Sequence, residues 1–287
     1  MFARRRAYNF RMTRPLRVQL FVTCIVDSLY PSVGEAVVEV LERLGVEVEF
    51  PEAQTCCGQP NYNAGFRREA RQLALHFLDV FAPHPPPRPS ATPPPSPSPG
   101  AMERGEGTGV GGEAPIVTPS GSCAAMVVHG YADLLANDPR NLARAKAVAA
   151  RTYEFSQFLV DVLGVTAARE GAKFDGTLTY HPSCHLLRGL GVTGAAQKLL
   201  AGVRGAEVVS LPNAEECCGF GGLFAVKHGD ISGAMLDKKL ENVRASGAQT
   251  VVGCDMSCLM HMQGGLSRDG SPVKCVHLAE VLAGKER

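Results

Sequence analysis

Short apolar runs alternate along this chain with longer segments in which apolar residues recur every three or four positions. The short runs predict buried strands, and the periodic segments predict helices that bury one face. The predicted strands are residues 18–23, 46–50, 116–118, 178–180, 208–211 and 250–252, and the predicted helices are residues 31–44, 64–81, 155–163, 186–200 and 231–244. Strands that alternate with helices are typical of parallel sheets, so the pattern predicts an α/β protein.

The same cysteine pattern occurs once in each half of the chain. A first strand runs into a single cysteine, a second strand precedes a Cys-Cys-Gly triplet, and a third precedes a closing cysteine. These cysteines are Cys24, Cys56, Cys57 and Cys123 in the first half and Cys184, Cys217, Cys218 and Cys258 in the second. Because three elements recur in the same order on matching strands, the sequence predicts two tandem repeats of one cysteine-rich parallel β/α unit.

The repeat also predicts how the chain is divided. A basic N-terminal tail at residues 1–16 precedes a first cysteine-rich domain at residues 17–150 and a second at residues 151–287. The first repeat is the longer one, and residues 82–113 account for the excess. That segment is dominated by proline, serine and glycine, and such a composition buries too little apolar surface to fold. It is therefore predicted to be a disordered insertion in the first domain.

Composition narrows the classes of function. The 287 residues are 45% hydrophobic and 20% charged, with a net charge of +1. This balance is typical of a globular protein and supplies no broad positive field for nucleic acid or an anionic membrane. No apolar run reaches the roughly 20 residues of a membrane span. The basic tail followed by an apolar run resembles a signal peptide but lacks a small-residue cleavage site, so a cytoplasmic location is predicted.

The ten cysteines are the outstanding feature of the composition. The two adjacent pairs fit a disulfide framework poorly, and in a reducing compartment clustered cysteines usually bind metal or carry out redox chemistry. Since the carboxyl ends of parallel strands meet at one edge of a sheet, the four cysteines of each half are expected to converge there. Soft sulfur ligands suit iron–sulfur clusters or zinc. Zinc is the less favoured alternative because structural zinc sites usually use short Cys-x-x-Cys pairs, which are absent here.

Several other residues near these motifs are weaker candidates. Cys254 precedes Cys258 and is a possible fifth metal ligand in the second half, whereas Cys275 lies in a strand-like run and is predicted to be a core residue. His181, His185 and His261 lie near the cysteines, where they could tune a metal centre, although a structural role is more common for such histidines. The sequence has no Gly-x-Gly-x-x-Gly loop after a strand, no phosphate-binding loop and no Ser-His-Asp set, so it predicts no flavin or nicotinamide site.

Together these motifs resemble the CCG cysteine-rich domain family, which includes a cysteine-rich component of heterodisulfide reductase and the iron–sulfur subunit of glycolate oxidase. The chain is most similar to the lactate utilization members of that family. The resembling stretches are residues 21–27, 50–60, 118–123, 180–188, 216–222 and 255–261. The chain departs from the closing Cys-x-x-Cys of heterodisulfide reductase, because Pro119 stands where Cys254 is found in the second half and three residues separate Cys254 from Cys258. This departure leaves the type of cluster and the role of Cys254 open.

The resemblance implies the chemistry that is expected of the chain. It implies an oxidoreductase subunit that carries electrons in the oxidation of L-lactate to pyruvate and needs two partner subunits, one of them an iron–sulfur protein. Glycolate or another 2-hydroxy acid as the substrate, and a zinc-binding scaffold without a redox role, remain the alternatives. The implied cofactor is one or two 4Fe-4S clusters. The implied ligand sets are Cys24, Cys56, Cys57 and Cys123, and Cys184, Cys217, Cys218 and Cys258.

Overall fold

The computed structural model describes residues 15–82, 114–165 and 172–285. These residues form two four-stranded parallel sheets with helices packed against them. The strand order is β2-β1-β3-β4 in the first sheet and β6-β5-β7-β8 in the second, so the two sheets have the same topology. The α/β fold class and the tandem repeat predicted from the sequence are therefore confirmed.

The first sheet is built from the first half of the chain. Its strands are β1 (Leu16–Leu20), β2 (Val46–Glu49), β3 (Ile116–Thr118) and β4 (Thr152–Glu154). Its helices are α1 (Cys24–Leu29), α2 (Pro31–Arg43), α3 (Gln59–Asn63), α4 (Arg67–Phe81), α5 (Gly121–Ala125), α6 (Tyr131–Leu134), α7 (Pro139–Ala149) and α8 (Phe155–Gln157). Single π-helical turns join α5 to α6 (Met126–Gly130) and extend α8 (Phe158–Val162).

The second sheet repeats this arrangement. Its strands are β5 (Lys173–His181), β6 (Arg204–Val209), β7 (Thr250–Gly253) and β8 (Lys274–His277). A π-helical turn (His185–Gly189) follows β5, and the helices are α9 (Ala195–Leu200), α10 (Leu223–Lys227), α11 (Gly229–Ala245), α12 (Met256–Arg268) and α13 (Leu278–Ala283). The long helices α4 and α11 each follow the Cys-Cys-Gly triplet of their own half.

The structure differs from the predicted elements in two places that shape the sites. Strand β1 ends at Leu20, because Thr23 adopts a φ of 75° and turns the chain directly into α1. The helix predicted at residues 186–200 is broken, because Gly191 and Gly194 adopt φ values of 68° and 74°, which a right-handed helix does not allow. Both changes place a short helical turn immediately after a cysteine-bearing loop.

The two halves share one hydrophobic core. Helix α13 of the second half packs against α2 of the first, and α9 of the second half packs against α8 of the first. The segments that carry the closing cysteines meet at an isolated antiparallel bridge between Ser120 and Asp255. Beside it, the backbone N–H of Gly121 donates to the carbonyl oxygen of Cys254 at 3.2 Å. The edges of the sheets that carry the cysteines therefore face each other across this contact.

The division of the chain at residue 150 was a sequence prediction, and the first sheet extends past it because β4 ends at Glu154. The predicted insertion at residues 82–113 lies outside the described residues except for Ala82, and most of the tail at residues 1–16 lies outside them as well. Among the helices that are described, none is long and apolar enough to cross a membrane.

Candidate metal sites

The first site joins four cysteines from three loops at the carboxyl edge of the first sheet. Cys24 opens α1 after β1, the pair Cys56 and Cys57 follows β2, and Cys123 lies in α5 after β3. The Cys57 thiol donates to the Cys123 sulfur at 3.4 Å, and Cys56 is hydrogen-bonded to Cys24 and to Cys57. The structure therefore brings together the four cysteines that the sequence assigned to the first half.

The second site has the same construction. Cys184 lies just after β5, the pair Cys217 and Cys218 follows β6, and Cys258 lies in the first turn of α12 after β7. Cys217 is hydrogen-bonded to Cys184 and to Cys218, and Cys218 is also hydrogen-bonded to Cys258. The four cysteines assigned to the second half are thus also in contact with one another.

The glycine after each cysteine pair forms part of the site. The backbone N–H of Gly58 donates to Cys56 Sγ at 3.4 Å, and that of Gly219 donates to Cys217 Sγ at the same distance. Both glycines adopt the left-handed region, with φ of 83° and 89°. This conformation turns the N–H back toward the sulfur, and a residue with a Cβ adopts it only with strain. The Cys-Cys-Gly order therefore supplies two thiols and one backbone donor to each site.

Electrostatics within the two sites follow one pattern. Hydrogen bonds from Cys24 and Cys57 lower the pKa of Cys56 to about 3, and hydrogen bonds from Cys184 and Cys218 lower that of Cys217 to about 2. The donating thiols change in the opposite direction: the hydrogen bond to Cys56 raises the pKa of Cys24, and the hydrogen bond to Cys217 raises that of Cys184. One thiolate is therefore favoured in each set, and ionisation of Cys24 and Cys184 requires a compensating positive charge.

The chemistry of each donor set fits a thiolate-bound metal centre. Each site offers four sulfur atoms, which are soft ligands of the kind that hold iron–sulfur clusters and zinc. A metal centre supplies the positive charge that four neighbouring thiolates need. Cys57, Cys123, Cys218 and Cys258 are buried, Cys24 is exposed, and Cys56, Cys184 and Cys217 are partly exposed. Each site is therefore enclosed by protein on one side and reachable from solvent on the other.

A pocket of about 50 Å³ lies between the first site and the second half of the chain. The four cysteines of the first site line one wall, and Phe220, Gly222 and the segment from Asp255 to Ser257 line the opposite wall. A more open depression of about 470 Å³ covers Cys217 and is lined by Arg188, Lys238, Glu215 and Glu216. Both sites therefore border open space, and the second half encloses the first site.

Cys254 and Cys275 lie apart from these sets. The Cys254 thiol is fully buried, accepts a hydrogen bond from the Tyr180 hydroxyl at 3.7 Å and interacts with Ser156 and Glu154. Those groups belong to the contact between the halves, so the structure does not bring Cys254 into the second set. Cys275 is buried in β8, where burial raises its pKa to about 12, in agreement with the core position predicted for it.

The candidate histidines have different surroundings. His181 is 1% exposed, and neither of its ring nitrogens has a hydrogen-bond partner among the described residues. One of these nitrogens and the sulfur atoms of Cys218 and Cys258 all lie within 4.8 Å of one another. His185 Nδ1 is 3.6 Å from Cys184 Sγ, whereas His261 Nε2 contacts the Ser232 hydroxyl at 3.4 Å. His181 and His185 therefore border the cysteines of the second site, and His261, which is held by Ser232, interacts electrostatically with Cys217.

Lys239 and Glu154 are buried ionisable residues whose burial the sequence did not predict. Lys239 of α11 is 0% exposed, and Glu154 at the end of β4 is also 0% exposed. The signal for Lys239 was its position on the apolar stripe of α11, beside Leu236, Leu240 and Val243. Glu154 gave no comparable signal, because the three-residue strand that carries it is too short to be recognised from periodicity.

Comparisons with known proteins agree with this arrangement. The family model described as a cysteine-rich domain, CCG, matches residues 18–85 and 178–263, which contain all the cysteines of the two sites except Cys123. A protein named lactate utilization protein A from Geobacillus sp. (strain WCH70) is 45% identical over 267 residues, covering 93% of this chain and 99% of its own. Another of the same name, from Macrococcus caseolyticus (strain JCSC5402), is 46% identical over 267 residues, covering 93% and 96%.

A likeness in fold is also found among solved structures. The crystal structure of a hypothetical protein from Helicobacter pylori matches with a TM-score of 0.56 and 11% sequence identity. The match covers 96% of this chain and 50% of the other, so this chain spans half the length of that protein. At this identity the likeness concerns the fold alone.

Proposed function

This chain belongs to the CCG cysteine-rich domain family, in the group of relatives named lactate utilization protein A, and from that premise we propose that it is an iron–sulfur electron-transfer subunit of a lactate utilization system. The observation that carries the proposal is the pair of four-cysteine sites, built alike at the carboxyl edges of two parallel sheets. A metal-binding role follows from the donor sets, and the relatives' name supplies the lactate utilization context.

The proposed ligands are Cys24, Cys56, Cys57 and Cys123 for the first centre and Cys184, Cys217, Cys218 and Cys258 for the second. A bound four-iron cluster would supply one-electron transfer. The chain's own part is to hold each centre against a buried wall, through the buried cysteines, and to leave the Cys24 and Cys184 sides accessible. Such one-sided exposure suits an electron carrier, because a partner can approach the centre while the protein shields the rest from water.

The reaction that we assign to the whole system is the oxidation of L-lactate to pyruvate, which releases two electrons and two protons. The chain would carry the electrons in the cytoplasm and act together with two partner subunits, one of them an iron–sulfur protein. The relatives' shared name supports the substrate, and the exposed edges of the sites support transfer to or from a partner.

The substrate assignment is tested with the full system. The chain is reconstituted with iron and sulfide under anaerobic conditions and mixed with the proteins that copurify with it, and the iron–sulfur absorbance is followed after addition of L-lactate. Bleaching that needs L-lactate and the partners is expected, with D-lactate and glycolate as the substrate controls. Bleaching by glycolate in preference to L-lactate would transfer the assignment to a glycolate-oxidising system, and bleaching by none of them would contradict it.

One observation favours a second candidate function, a zinc-binding scaffold without a redox role. The compact group of His181, Cys218 and Cys258, with ligand atoms within 4.8 Å of one another, would suit a single ion. Anaerobically purified protein that contains stoichiometric zinc, no iron and no redox-active absorbance would favour this function over the first.

A further inference from the structure

The two cysteine sites have the same ligands but differ in the residues that surround them. Aligning the repeats on their cysteines pairs Cys24 with Cys184, so Phe21, Ile25 and Ser28 of the first half correspond to His181, His185 and Arg188 of the second. Gly58 packs against Leu73 of α4, and Gly219 packs against Met235 of α11. Aligning the two helices on these contacts pairs Phe77 with Lys239, because each lies one helical turn after its contact residue. Four uncharged positions in the first half are thus basic residues in the second.

Lys239 is the most informative of these four residues. Its side chain is 0% exposed, and its ammonium group donates to the carbonyl oxygens of Ala214 at 3.0 Å and Asn213 at 3.3 Å. A buried ammonium group whose direct partners are neutral carbonyls requires a negative charge nearby. Glu216 and the thiols of Cys218, Cys217 and Cys258 are the groups whose charge acts on it. Glu216, which also pairs with Lys238 at 2.7 Å, and the cysteine site are therefore the negative charges that face Lys239.

His181 faces the same centre. It is buried, both ring nitrogens lack a partner among the described residues, and one nitrogen lies within 4.8 Å of the sulfur atoms of Cys218 and Cys258. A buried ring with no partner has an unmet hydrogen-bonding requirement, which a metal centre or its sulfur atoms would satisfy. On the exposed side, the charge of Arg188 acts on Cys184 and His185 lies 3.6 Å from it.

The corresponding region of the first site is aromatic. Phe21 and Phe77 pack edge to face with ring centroids 4.9 Å apart, and Phe77 contacts Tyr131 at 5.4 Å. The charges that act on Cys24 and Cys57 are those of other cysteines in the same set. No cation within the described part of the chain is among them. Behind its buried cysteines the first site is therefore lined by aromatic rings, where the second site has nitrogen donors and a buried charge.

We propose that the basic surroundings of the second site give its centre the more positive reduction potential of the two, with Lys239 and His181 as the residues that set the difference. Reduction adds negative charge to a centre, and a fixed cation and hydrogen-bond donors beside the sulfur atoms stabilise the reduced form. When the chain carries a single electron, that electron therefore resides on the second centre, and the first centre stays oxidised. This inference rests on the proposed function, because it requires a redox-active centre at each site.

The test uses full-length protein with one centre at a time. The Cys56→Ser/Cys57→Ser variant keeps the second site, and the Cys217→Ser/Cys218→Ser variant keeps the first. Iron content is measured in both, and each remaining centre is then titrated anaerobically with EPR detection. The centre of the second site is expected to become reduced at the more positive potential.

Lys239→Met and His181→Phe are then added separately to the variant that keeps the second site. His181→Phe introduces the residue that the first half has at this position, and each change is expected to make the potential more negative while the iron content is retained. Lys198→Met, which removes an exposed lysine on α9, is the matched control and should leave the potential unchanged.

The outcomes separate this inference from the proposed function. Absence of iron from both single-site variants and from the wild type would contradict the proposed function itself. Iron in both sites with equal potentials, or with the first site more positive, would overturn the inference and leave the proposed function standing. A potential that changes no more in Lys239→Met and His181→Phe than in Lys198→Met would overturn it too.

Discussion

The two halves of this chain hold the same four cysteines in the same places but surround them differently. Behind the first site lie Phe21 and Phe77, and behind the second lie His181 and Lys239. Both halves retain the four cysteines, the glycine of the Cys-Cys-Gly triplet and the strand order. The positions that touch a metal centre are thus fixed by its chemistry, whereas the positions behind them can differ and thereby give two sites different properties.

A second pair of corresponding residues places an acid in the first half and a base in the second. Glu154 ends β4 and caps α8, and His277 ends β8 and caps α13. His277 Nε2 contacts the carbonyl oxygen of Pro119 at 3.1 Å, while Glu154 accepts from the backbone N–H of Ser156 at 2.9 Å and leaves Oε1 without a partner among the described residues. Burial raises the pKa of Glu154 to about 7 and lowers that of His277 to about 4.

The largest predicted effect concerns the pH dependence of stability at this pair. The unfolded chain releases the Glu154 proton near pH 4.5 and the folded chain near 7, so this group lowers stability by about 3 kcal/mol as pH rises through that window. The unfolded chain binds the His277 proton near pH 6.5 and the folded chain near 4. The contribution of His277 to the free energy of unfolding therefore falls by a similar amount as pH decreases through that window. The two slopes oppose each other between about pH 4.5 and 6.5.

Single substitutions should separate the two slopes. Glu154→Gln should make the unfolding free energy rise more steeply with pH than in the wild type, and His277→Gln should make it rise less steeply than in the wild type. Anaerobic urea unfolding at several pH values measures both slopes. Parallel pH profiles for the wild type and the two variants would contradict the assigned pKa directions.

The glycines of the two triplets provide the next comparison. A Cβ on Gly219 would lie 2.6 Å from the carbonyl oxygen of Ser232, whereas one on Gly58 would lie 3.2 Å from the Leu73 Cβ. Both positions have a positive φ, so alanine strains the backbone at each. Gly219→Ala should cost about 2 kcal/mol more than Gly58→Ala, because a contact of 2.6 Å forces the backbone of α11 to shift, whereas a contact of 3.2 Å needs an adjustment of only a few tenths of an ångström. Denaturation midpoints of the two variants test this difference. Equal losses of stability in the two variants would contradict it, because they would show that both turns accommodate a Cβ equally well.

The smallest expected effect is at Cys254. Its thiol contacts Tyr180 and Ser156 rather than the second set, so Cys254→Ser should leave the metal content unchanged. Its cost in stability should be about 1 kcal/mol, from a poorer fit in a buried polar contact. Metal analysis beside Cys258→Ser, which removes a proposed ligand, provides the contrast. A loss of metal in Cys254→Ser as large as in Cys258→Ser would make Cys254 a ligand.

Much of this architecture follows from local pattern in the sequence. The repeat of Cys24, the Cys56-Cys57 pair and Cys123 predicts convergence, because each lies after a strand and parallel strands end at one edge. The break of the helix predicted at residues 186–200 was not predictable from its apolar spacing, since it depends on the positive φ of two glycines. The link between Lys239 and the second site depends on tertiary packing of α11 over the triplet, which spacing along the chain does not encode.

Metal analysis of anaerobically purified protein decides whether each half of the chain holds its own iron–sulfur centre. The wild type is compared with Cys56→Ser/Cys57→Ser and Cys217→Ser/Cys218→Ser by iron and zinc content and by EPR. We expect about eight irons per chain in the wild type and about four in each variant, with one EPR signal lost in each variant. Zinc in place of iron, or loss of all the iron on removal of either pair, would contradict it.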